Sequence, residues 1–426
     1  MNKHLALTIF CACLGTSVHA QEIISQYEVF PTLQETDIPY RIPAIGTARN
    51  GDIVAVADFR YCRTDIGLMG TGDGRIDLRA RISQDKGATW GNIFTVVKAH
   101  GRSGDEAFYT GFGDPCIVAD RESGRVLLMS CAGNIPFWGG TREKHQLVAR
   151  FYSNDNGRTW SQPEEISEQF YSLFDKAKNG PIRSMFIGSG KIHQSRYTKV
   201  GKYYRIYCSN LATDANGEHI NYILYSDDFG ETWKLLGDAD DVPIIKGDEP
   251  KAEELPDGRV LISSRMGGGR FFNIFTFDDV ANGTGKWDKQ ATSGKENNGT
   301  EALGNSCNGE PLIVPVQRTS DGKCMHLALQ SVPFGNGRAN VGIYYKELAS
   351  EADYATPAAF AANWQGKVQL SHLPSAYSTM TLLKDNTIGF FFEEETHCGH
   401  EGGGFTLMYK RFSIEGLTDG AYKYKK

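Results

Sequence analysis

The sequence predicts an all-β protein, and within that class a six-bladed β-propeller of four-stranded antiparallel blades. One turn pattern, S-x-D-x-G-x-T-W, occurs three times, at Ser83–Trp90, Ser153–Trp160 and Ser226–Trp233. Its serines lie 70 and 73 residues apart, and such a period indicates a repeat architecture. Short apolar runs alternate with Gly, Asn, Asp and Pro clusters, whereas long amphipathic helical patterns are nearly absent. Four strands and about 65 residues per blade give about six blades in some 400 residues.

Each copy of the pattern has the composition of a hairpin turn. Its Asp can accept backbone N–H bonds, its Gly can adopt a positive φ, and its Trp can pack between strands. We therefore assign these turns to the scaffold and not to catalysis. Two further copies are expected to have decayed, at Phe277–Trp287 and Tyr345–Trp364.

Apolar runs of strand length recur along the chain. They lie at Asp52–Asp58, Arg125–Ser130, Tyr203–Cys208, Arg259–Ser264, Met325–Gln330 and Thr387–Phe392. Several follow a tight-turn dipeptide, for example Asn50-Gly51 or Asp257-Gly258. A short helix is expected at Asp353–Asn363, with an interruption at Pro357.

Residues 1–20 have the features of a secretory signal peptide. Lys3 provides a positive n-region, Leu5–Leu14 an apolar stretch too short to span a bilayer, and Val18–Ala20 a small-x-small cleavage site. A lipoprotein signal through Cys11 or Cys13 is the less favoured alternative. We therefore expect residues 21–426 to form one propeller domain that is exported, periplasmic or secreted, and has no transmembrane segment.

The net charge of −6 argues against nucleic acid as a partner. Nine cysteines, two of them within residues 1–20, leave seven, an odd number without C-x-x-C spacing. This predicts mostly buried free thiols with at most one or two bridges, and neither a disulfide framework nor a zinc site. His397, Cys398 and His400 lie close together, but the neighbouring glycines favour a loop over a metal site. The sequence predicts no metal and no cofactor.

The motif Y-R-I-P occupies Tyr40–Pro43, just before the first apolar strand. Together with the three turns it resembles the sialidase (neuraminidase) family of exported bacterial glycosidases, over nearly all of residues 21–426. The resemblance implies a retaining exo-α-sialidase that releases terminal sialic acid from sialylated glycans. Two alternatives stay open, a trans-sialidase with the same residues and a propeller that binds sialoglycans without catalysis. A monomer is expected.

The resemblance also implies three arginines that bind the substrate carboxylate. Sialic acid carries this carboxylate on its anomeric carbon, and the planar, bidentate guanidinium suits such a group better than an ammonium does. The matching positions are Arg41 in Y-R-I-P, Arg265 at the end of Asp257–Arg265, and Arg338 before the strand Ala339–Tyr345.

The nucleophile implied by the resemblance is a tyrosine. A carboxylate nucleophile would be repelled by the substrate's own carboxylate, whereas a neutral hydroxyl activated by a Glu avoids that repulsion. The matching tyrosine is Tyr377, in the segment Ala376–Glu393, and its partner is Glu249. Glu253 and Glu254 are alternatives for the partner.

The general acid implied by the resemblance is an Asp on a loop after an early strand. It would protonate the leaving oxygen and then act as base towards water. Asp65 fits, because Arg60 and Asp65 reproduce the spacing R-x-x-x-x-D before a glycine-rich loop. Asp73 and Asp77 are alternatives. Arg60 is expected to contact the substrate near its 4-hydroxyl, or else to pair with a structural acid.

Supporting residues complete the expected site. Glu393 resembles the carboxylate that orients the first arginine, and Glu394 and Glu395 are neighbouring alternatives. Asp114 matches a position near the N-acetyl group of the sugar. Trp138 and Phe137, in the loop Gly133–Gly140, are expected to form walls for the acetyl methyl group, with ordinary blade packing as the alternative.

Overall fold

The structure is a computed structural model that describes residues 22–32, 38–68, 70–102, 104, 106–304, 307–395 and 404–425. Its strands form six sheets arranged as a six-bladed propeller, which confirms the predicted fold class. The predicted signal peptide lies outside the described residues, as do His397, Cys398 and His400.

Blades I to III contain the first sixteen strands, except that the first strand belongs to the last blade. The strands are β1 (Ile23–Phe30); in blade I, β2 (Tyr40–Thr47), β3 (Ile53–Arg60), β4 (Ile76–Ser83) and β5 (Phe94–Val97); in blade II, β6 (Phe112–Ala119), β7 (Val126–Ala132), β8 (Leu147–Ser153), β9 (Glu164–Glu165) and β11 (Gly190–Lys191); in blade III, β10 (Ser184–Ile187), β12 (His193–Val200), β13 (Tyr203–Thr213), β14 (His219–Ser226), β15 (Lys234–Leu235) and β16 (Ile244–Ile245).

Blades IV to VI follow in chain order, apart from the final strand, which returns to blade V. The strands are, in blade IV, β17 (Pro250–Glu254), β18 (Val260–Met266), β19 (Gly269–Asp279), β20 (Thr284–Trp287) and β21 (Ala291–Ser293); in blade V, β22 (Pro311–Arg318), β23 (Cys324–Pro333), β24 (Val341–Leu348), β25 (Gly366–Gln369) and β29 (Tyr422–Tyr424); in blade VI, β26 (Ser375–Leu382), β27 (Ile388–Glu395) and β28 (Phe405–Phe412).

The ring is closed by a pairing between the two ends of the chain. Strand β1 pairs antiparallel with β28, for example with Tyr27 opposite Tyr409. Blade VI therefore takes three strands from the C-terminal part of the chain and its outermost strand from the N-terminal part. This pairing covers an edge of β28 that would otherwise be open.

The three repeated turns have the same hydrogen bonds. In the first, Asp85 accepts from the backbone N–H and the hydroxyl of Thr89, at 2.8 and 2.5 Å. Asp155 and Asp228 accept the equivalent pairs. Gly87 has φ +86° and lies so close to the Tyr409 ring that a Cβ would be 2.0 Å from it, so only glycine fits there.

The tryptophans of these turns fix blades to one another. Trp90 of blade I packs against Tyr409 of blade VI, with ring centroids 5.4 Å apart. The two segments expected to be decayed repeats likewise bury their tryptophans. Trp287 packs on Phe275 at 5.1 Å, and Trp364 is 4% exposed.

Helices are few and short: α1 (Ser167–Tyr171), α2 (Pro357–Ala361) and α3 (Ile414–Leu417), with 3₁₀ turns at Gly72–Gly74, Ala107–Thr110, Ser172–Phe174, Lys295–Asn297 and Glu351–Asp353. The expectation that Pro357 interrupts a helix is wrong. Pro357 begins α2, and the Thr356 side chain caps it by accepting the Ala359 N–H. Proline suits this first position because its missing N–H would have no helical partner there.

Within the described residues, no helix has both the length and the hydrophobicity needed to cross a bilayer. The cysteines of these residues are free thiols. Five of them are buried, whereas Cys324 is exposed.

We expect Asp228→Ala to lower the free energy of unfolding by about 1–2 kcal/mol, because three hydrogen bonds to its carboxylate are lost. Burial raises the pKa of Asp228, but the bonds from Thr232 and Ser226 outweigh it, so the pKa is lowered. Its contribution is therefore present above the ordinary Asp pKa of about 3.9 and is lost as the pH falls through the lower folded value.

Urea unfolding of wild type and variant at about pH 7 and about pH 3 measures this difference, which should shrink at the lower pH. Asp278→Ala, at an exposed position of β19, is the control and should leave the unfolding midpoint unchanged. Equal midpoints for the two variants at neutral pH would contradict the assigned role.

Candidate active site

Three strands next to the propeller axis break register at the same end of the molecule. The breaks lie between Arg41 and Ala44 in β2, between Gly113 and Cys116 in β6, and between Ser375 and Ser378 in β26. Such bulges bend a strand and re-aim its side chains. Asp114 and Tyr377 lie within their breaks, whereas Arg41, which is still paired with Asp58, directly precedes the break in β2.

Two of the bulges have a left-handed residue followed by a proline. Ile42, before Pro43, and Asp114, before Pro115, both have φ +56°. A β-branched residue rarely adopts this conformation, and a proline cannot donate to the strand ladder. The backbone is therefore strained next to Arg41 and at Asp114, as is common at functional sites.

Glu393 links the first blade to the last. Its buried carboxylate accepts from Arg41 Nε at 2.7 Å and Nη2 at 3.2 Å, from the Ile42 N–H at 2.8 Å and from the Tyr377 N–H at 3.2 Å. Burial raises the pKa of Glu393, but Arg41 and these hydrogen bonds outweigh it, so the pKa is lowered and the carboxylate stays ionised. Glu393 therefore fixes both Arg41 and the backbone of Tyr377.

Tyr377 and Glu249 form a short hydrogen bond between blades VI and IV. The Tyr377 hydroxyl donates to Glu249 Oε1 at 2.6 Å, while Arg265 Nη1 donates to Glu249 Oε2 at 2.9 Å. Arg265 Nη1 also lies 3.4 Å from the Tyr377 hydroxyl. Burial and the adjacent Glu249 raise the pKa of Tyr377 well above its ordinary value, so its resting hydroxyl is neutral. A proton on this oxygen can pass directly to Glu249.

The three predicted arginines surround Tyr377. The guanidinium carbons of Arg41 and Arg338 lie 5.8 and 5.4 Å from the centre of its ring, and Arg265 lies at its hydroxyl. Arg41 and Arg265 have carboxylate partners, whereas Arg338 makes no ion pair with another described residue, and its Nε has no hydrogen-bond partner there. The arrangement suits an incoming anion.

Arg60 is the centre of a second charged cluster. It contacts Asp58 Oδ2 at 2.7 Å, Asp65 Oδ1 at 2.5 Å and Asp114 Oδ1 at 3.4 Å, and is itself only 3% exposed. Of the two expectations for Arg60, pairing with acids is the one that the structure shows. Arg60 lowers the pKa of Asp65, whose side chain is 61% exposed.

Several of these groups line one cavity of about 190 Å³, whereas Arg41, Arg60 and Glu393 are not among the described residues of its wall. Its charged wall contains Asp65, Asp114, Asp248, Glu249, Arg265, Arg338 and Tyr377. The opposite wall is mainly apolar, with Ile66, Leu68, Pro136, Phe137, Trp138, Phe186 and Leu211. Trp138 is 57% exposed, and its ring lies 4.9 Å from that of His219. The cavity thus pairs a charged side with an apolar side.

The alternative candidates for the glutamate partner and the general acid do not line the cavity. Glu253 pairs with Arg196 at 2.7 Å, and Glu254 accepts from the Arg196 N–H at 2.6 Å, away from the cavity. Asp77 is held by Arg75, and Asp73 lies in a 3₁₀ turn; neither lines the cavity. On β27 it is Glu393 that contacts Arg41.

Two site residues were missed by sequence reasoning. Asp58 lies two positions before Arg60 on β3, so alternation along a strand puts both on one face, a signal that could have been used. Asp248 lies 3.6 Å from Arg265 Nε and directly precedes Glu249. Within the described ranges no group of three or more His, Cys, Asp or Glu side chains is placed to hold a metal ion.

A family model described as the BNR repeat-like domain matches residues 67–388. The chain is 28% identical over 371 residues to a sialidase from Micromonospora viridifaciens, a match that covers 84% of this chain and 50% of that protein. The chain spans about half the length of the curated relatives it matches.

Solved structures share the fold. A Hadza microbial sialidase superposes with a TM-score of 0.66 at 20% identity, covering 89% of this chain and 66% of that one. The intramolecular trans-sialidase from Ruminococcus gnavus, in complex with oseltamivir carboxylate, gives 0.64 at 18% identity, covering 89% and 95%. With its repeated Asp turns and a family match over more than half of its length, the chain belongs to the BNR repeat-like domain family.

Proposed function

We propose that this protein is a retaining exo-α-sialidase that removes terminal α-linked sialic acids from glycans, with Tyr377 as its nucleophile. The observation that carries the proposal is the set of three arginines around the Tyr377–Glu249 hydrogen bond. Such a site can bind a carboxylate and activate a hydroxyl beside it. The sialidases among its relatives support the same substrate class.

In the proposed first step, Arg41, Arg265 and Arg338 bind the substrate carboxylate. The Tyr377 oxygen attacks the anomeric carbon while its proton passes to Glu249, 2.6 Å away. The bond to the leaving oxygen breaks, and this oxygen takes a proton from Asp65. A neutral nucleophile approaches the substrate carboxylate without the repulsion that an Asp or Glu would meet.

In the second step, water attacks the anomeric carbon and releases Tyr377, which regains its proton from Glu249. Asp65 accepts the proton of this water, so that one carboxyl serves as acid and then as base. Two inversions at one carbon give net retention. The apolar wall with Trp138 would contact the uncharged part of the sugar.

We expect Tyr377→Phe to reduce kcat for a fluorogenic α-sialoside by roughly 10³-fold or more, because the covalent step is lost. Tyr225→Phe is the matched control. It also removes one hydroxyl hydrogen bond, to the Asn282 carbonyl, but does so outside the cavity, and it should keep its activity. Turnover that survives Tyr377→Phe would refute the nucleophile but keep the sialidase. A wild type without turnover would refute the activity itself.

We expect Arg338→Lys to raise KM by about 10-fold to 100-fold with a smaller change in kcat, since a bidentate contact to the substrate carboxylate is lost. Steady-state kinetics with the same sialoside, together with inhibition by free sialic acid, measures the effect. Arg318→Lys, which alters an ion pair with Glu347 on blade V, is the control and should change neither constant. An unchanged KM in Arg338→Lys would remove this residue from the carboxylate site.

A further inference from the structure

Three carboxylates converge on one cation beside the cavity. Asp58, Asp65 and Asp114 all contact Arg60, and within the described part of the chain no other cation forms an ion pair with any of them. If all three were ionised, Arg60 would neutralise only one of the three charges, and the more distant Arg41 and Arg338 act mainly on Asp58 and Asp65. Like charges this close, away from water, favour binding of a proton.

The contacts of each carboxylate indicate which one holds the proton. Asp58 accepts three hydrogen bonds, from Arg60 Nε and Nη2 and from the Asp114 N–H at 3.0 Å. Asp65 is largely exposed and has the shortest contact with Arg60. Asp114 is 4% exposed and has only the long contact of 3.4 Å. Asp114 is therefore the least stabilised as an anion.

The electrostatic surroundings agree with this order. Burial raises the pKa of Asp114 well above its ordinary value, Arg60 opposes this, and Asp58, Asp65 and Glu249 raise it further. The thiol of Cys131 is also near Asp114. Burial raises the pKa of Asp58 to about 6, against the hydrogen bonds from Arg60. Asp65, the proposed general acid, has the opposite shift, because the ion pair with Arg60 at 2.5 Å lowers its pKa and favours its ionised form.

An ionised Asp65 cannot protonate a leaving group, so the proposed function requires a proton source. We propose that Asp114 is this source: it stores one proton and delivers it to Asp65 when substrate is bound. Asp114 and Asp65 line the same cavity and contact the two amino groups of one guanidinium, that of Arg60, and the proposed transfer runs between them through water. This role rests on the proposed sialidase activity.

The transfer balances in charge and in protons. When Asp65 gains the proton it becomes neutral and its ion pair with Arg60 is lost. The newly ionised Asp114 then forms an ion pair with the same guanidinium. The proton then leaves on the glycosidic oxygen, which keeps the electron pair of the broken bond. In the second step the attacking water gives a proton to Asp65, which returns it to Asp114. The cluster ends the cycle as it began.

The test compares two leaving groups on wild type and the Asp114→Asn variant. 3′-Sialyllactose releases an alcohol that needs protonation, whereas a 4-nitrophenyl α-sialoside releases a phenol that needs little. General acid catalysis contributes about 10²–10⁴-fold. We therefore expect kcat/KM of Asp114→Asn to fall on the order of 10²-fold further on sialyllactose than on the nitrophenyl substrate. Asn tolerates the left-handed backbone at this position.

Asp65→Asn should show the same dependence on the leaving group, because it removes the acid itself. Asp77→Asn, a buried carboxylate with an arginine partner on the same blade, should affect both substrates equally. Equal losses for Asp114→Asn on the two substrates would assign it to binding or packing and overturn the proposal. If wild type turns over neither substrate, the proposed function fails, and this inference fails with it.

Infrared spectroscopy gives a second measurement that does not depend on activity. At neutral pH the wild type should show the carbonyl band of a protonated carboxylic acid. This band should be absent from Asp114→Asn and retained in Asp65→Asn. A band that persists in Asp114→Asn, or one that is missing from the wild type, would overturn the assignment of the proton.

Discussion

The carboxylate of Glu393 is the contact on which the candidate site depends. It binds the guanidinium of Arg41 and two backbone N–H groups, those of Ile42 and Tyr377. These groups come from blades I and VI, the two blades that meet where the ring closes through β1 and β28. The buried Glu393 carboxylate therefore links the two blades at the closure of the ring, and it also fixes the positions of Arg41 and Tyr377. Because it has four donors, its burial does not leave an uncompensated charge.

The bulges explain how a regular propeller presents a chemical site. In an unbroken strand, successive side chains point alternately to the two faces of the sheet, and none points towards the end of the propeller axis. Breaks in β6 and β26 free Asp114 and Tyr377 from this alternation, and a break in β2 begins directly after Arg41. Ile42 and Asp114 adopt a left-handed backbone conformation in these breaks. This strained conformation costs free energy.

The cavity separates two kinds of charge. The arginines around Tyr377 make one side suited to an anion, and Arg338 is without an ion-pair partner in the described structure. The carboxylates around Arg60 make the other side rich in acid groups, which hold more negative charge than their single cation neutralises. The proposed mechanism assigns binding of the substrate carboxylate to the first side and protonation of the leaving oxygen to the second, two tasks whose requirements for charge are opposite.

The sequence alone determined those features that depend on residues close together in the chain. Asp85, Asp155 and Asp228 each bond to a threonine four positions later, so their pattern revealed the repeat and with it the six-bladed fold. The Y-R-I-P motif singled out Arg41 through its resemblance to the sialidase family. Only the tertiary structure decided that Glu393, and not Glu394, binds that arginine, and that Asp58 joins Asp114 to Arg60. These contacts join different blades and depend on the bulges and on burial. No short sequence pattern encodes which side chains are buried next to each other.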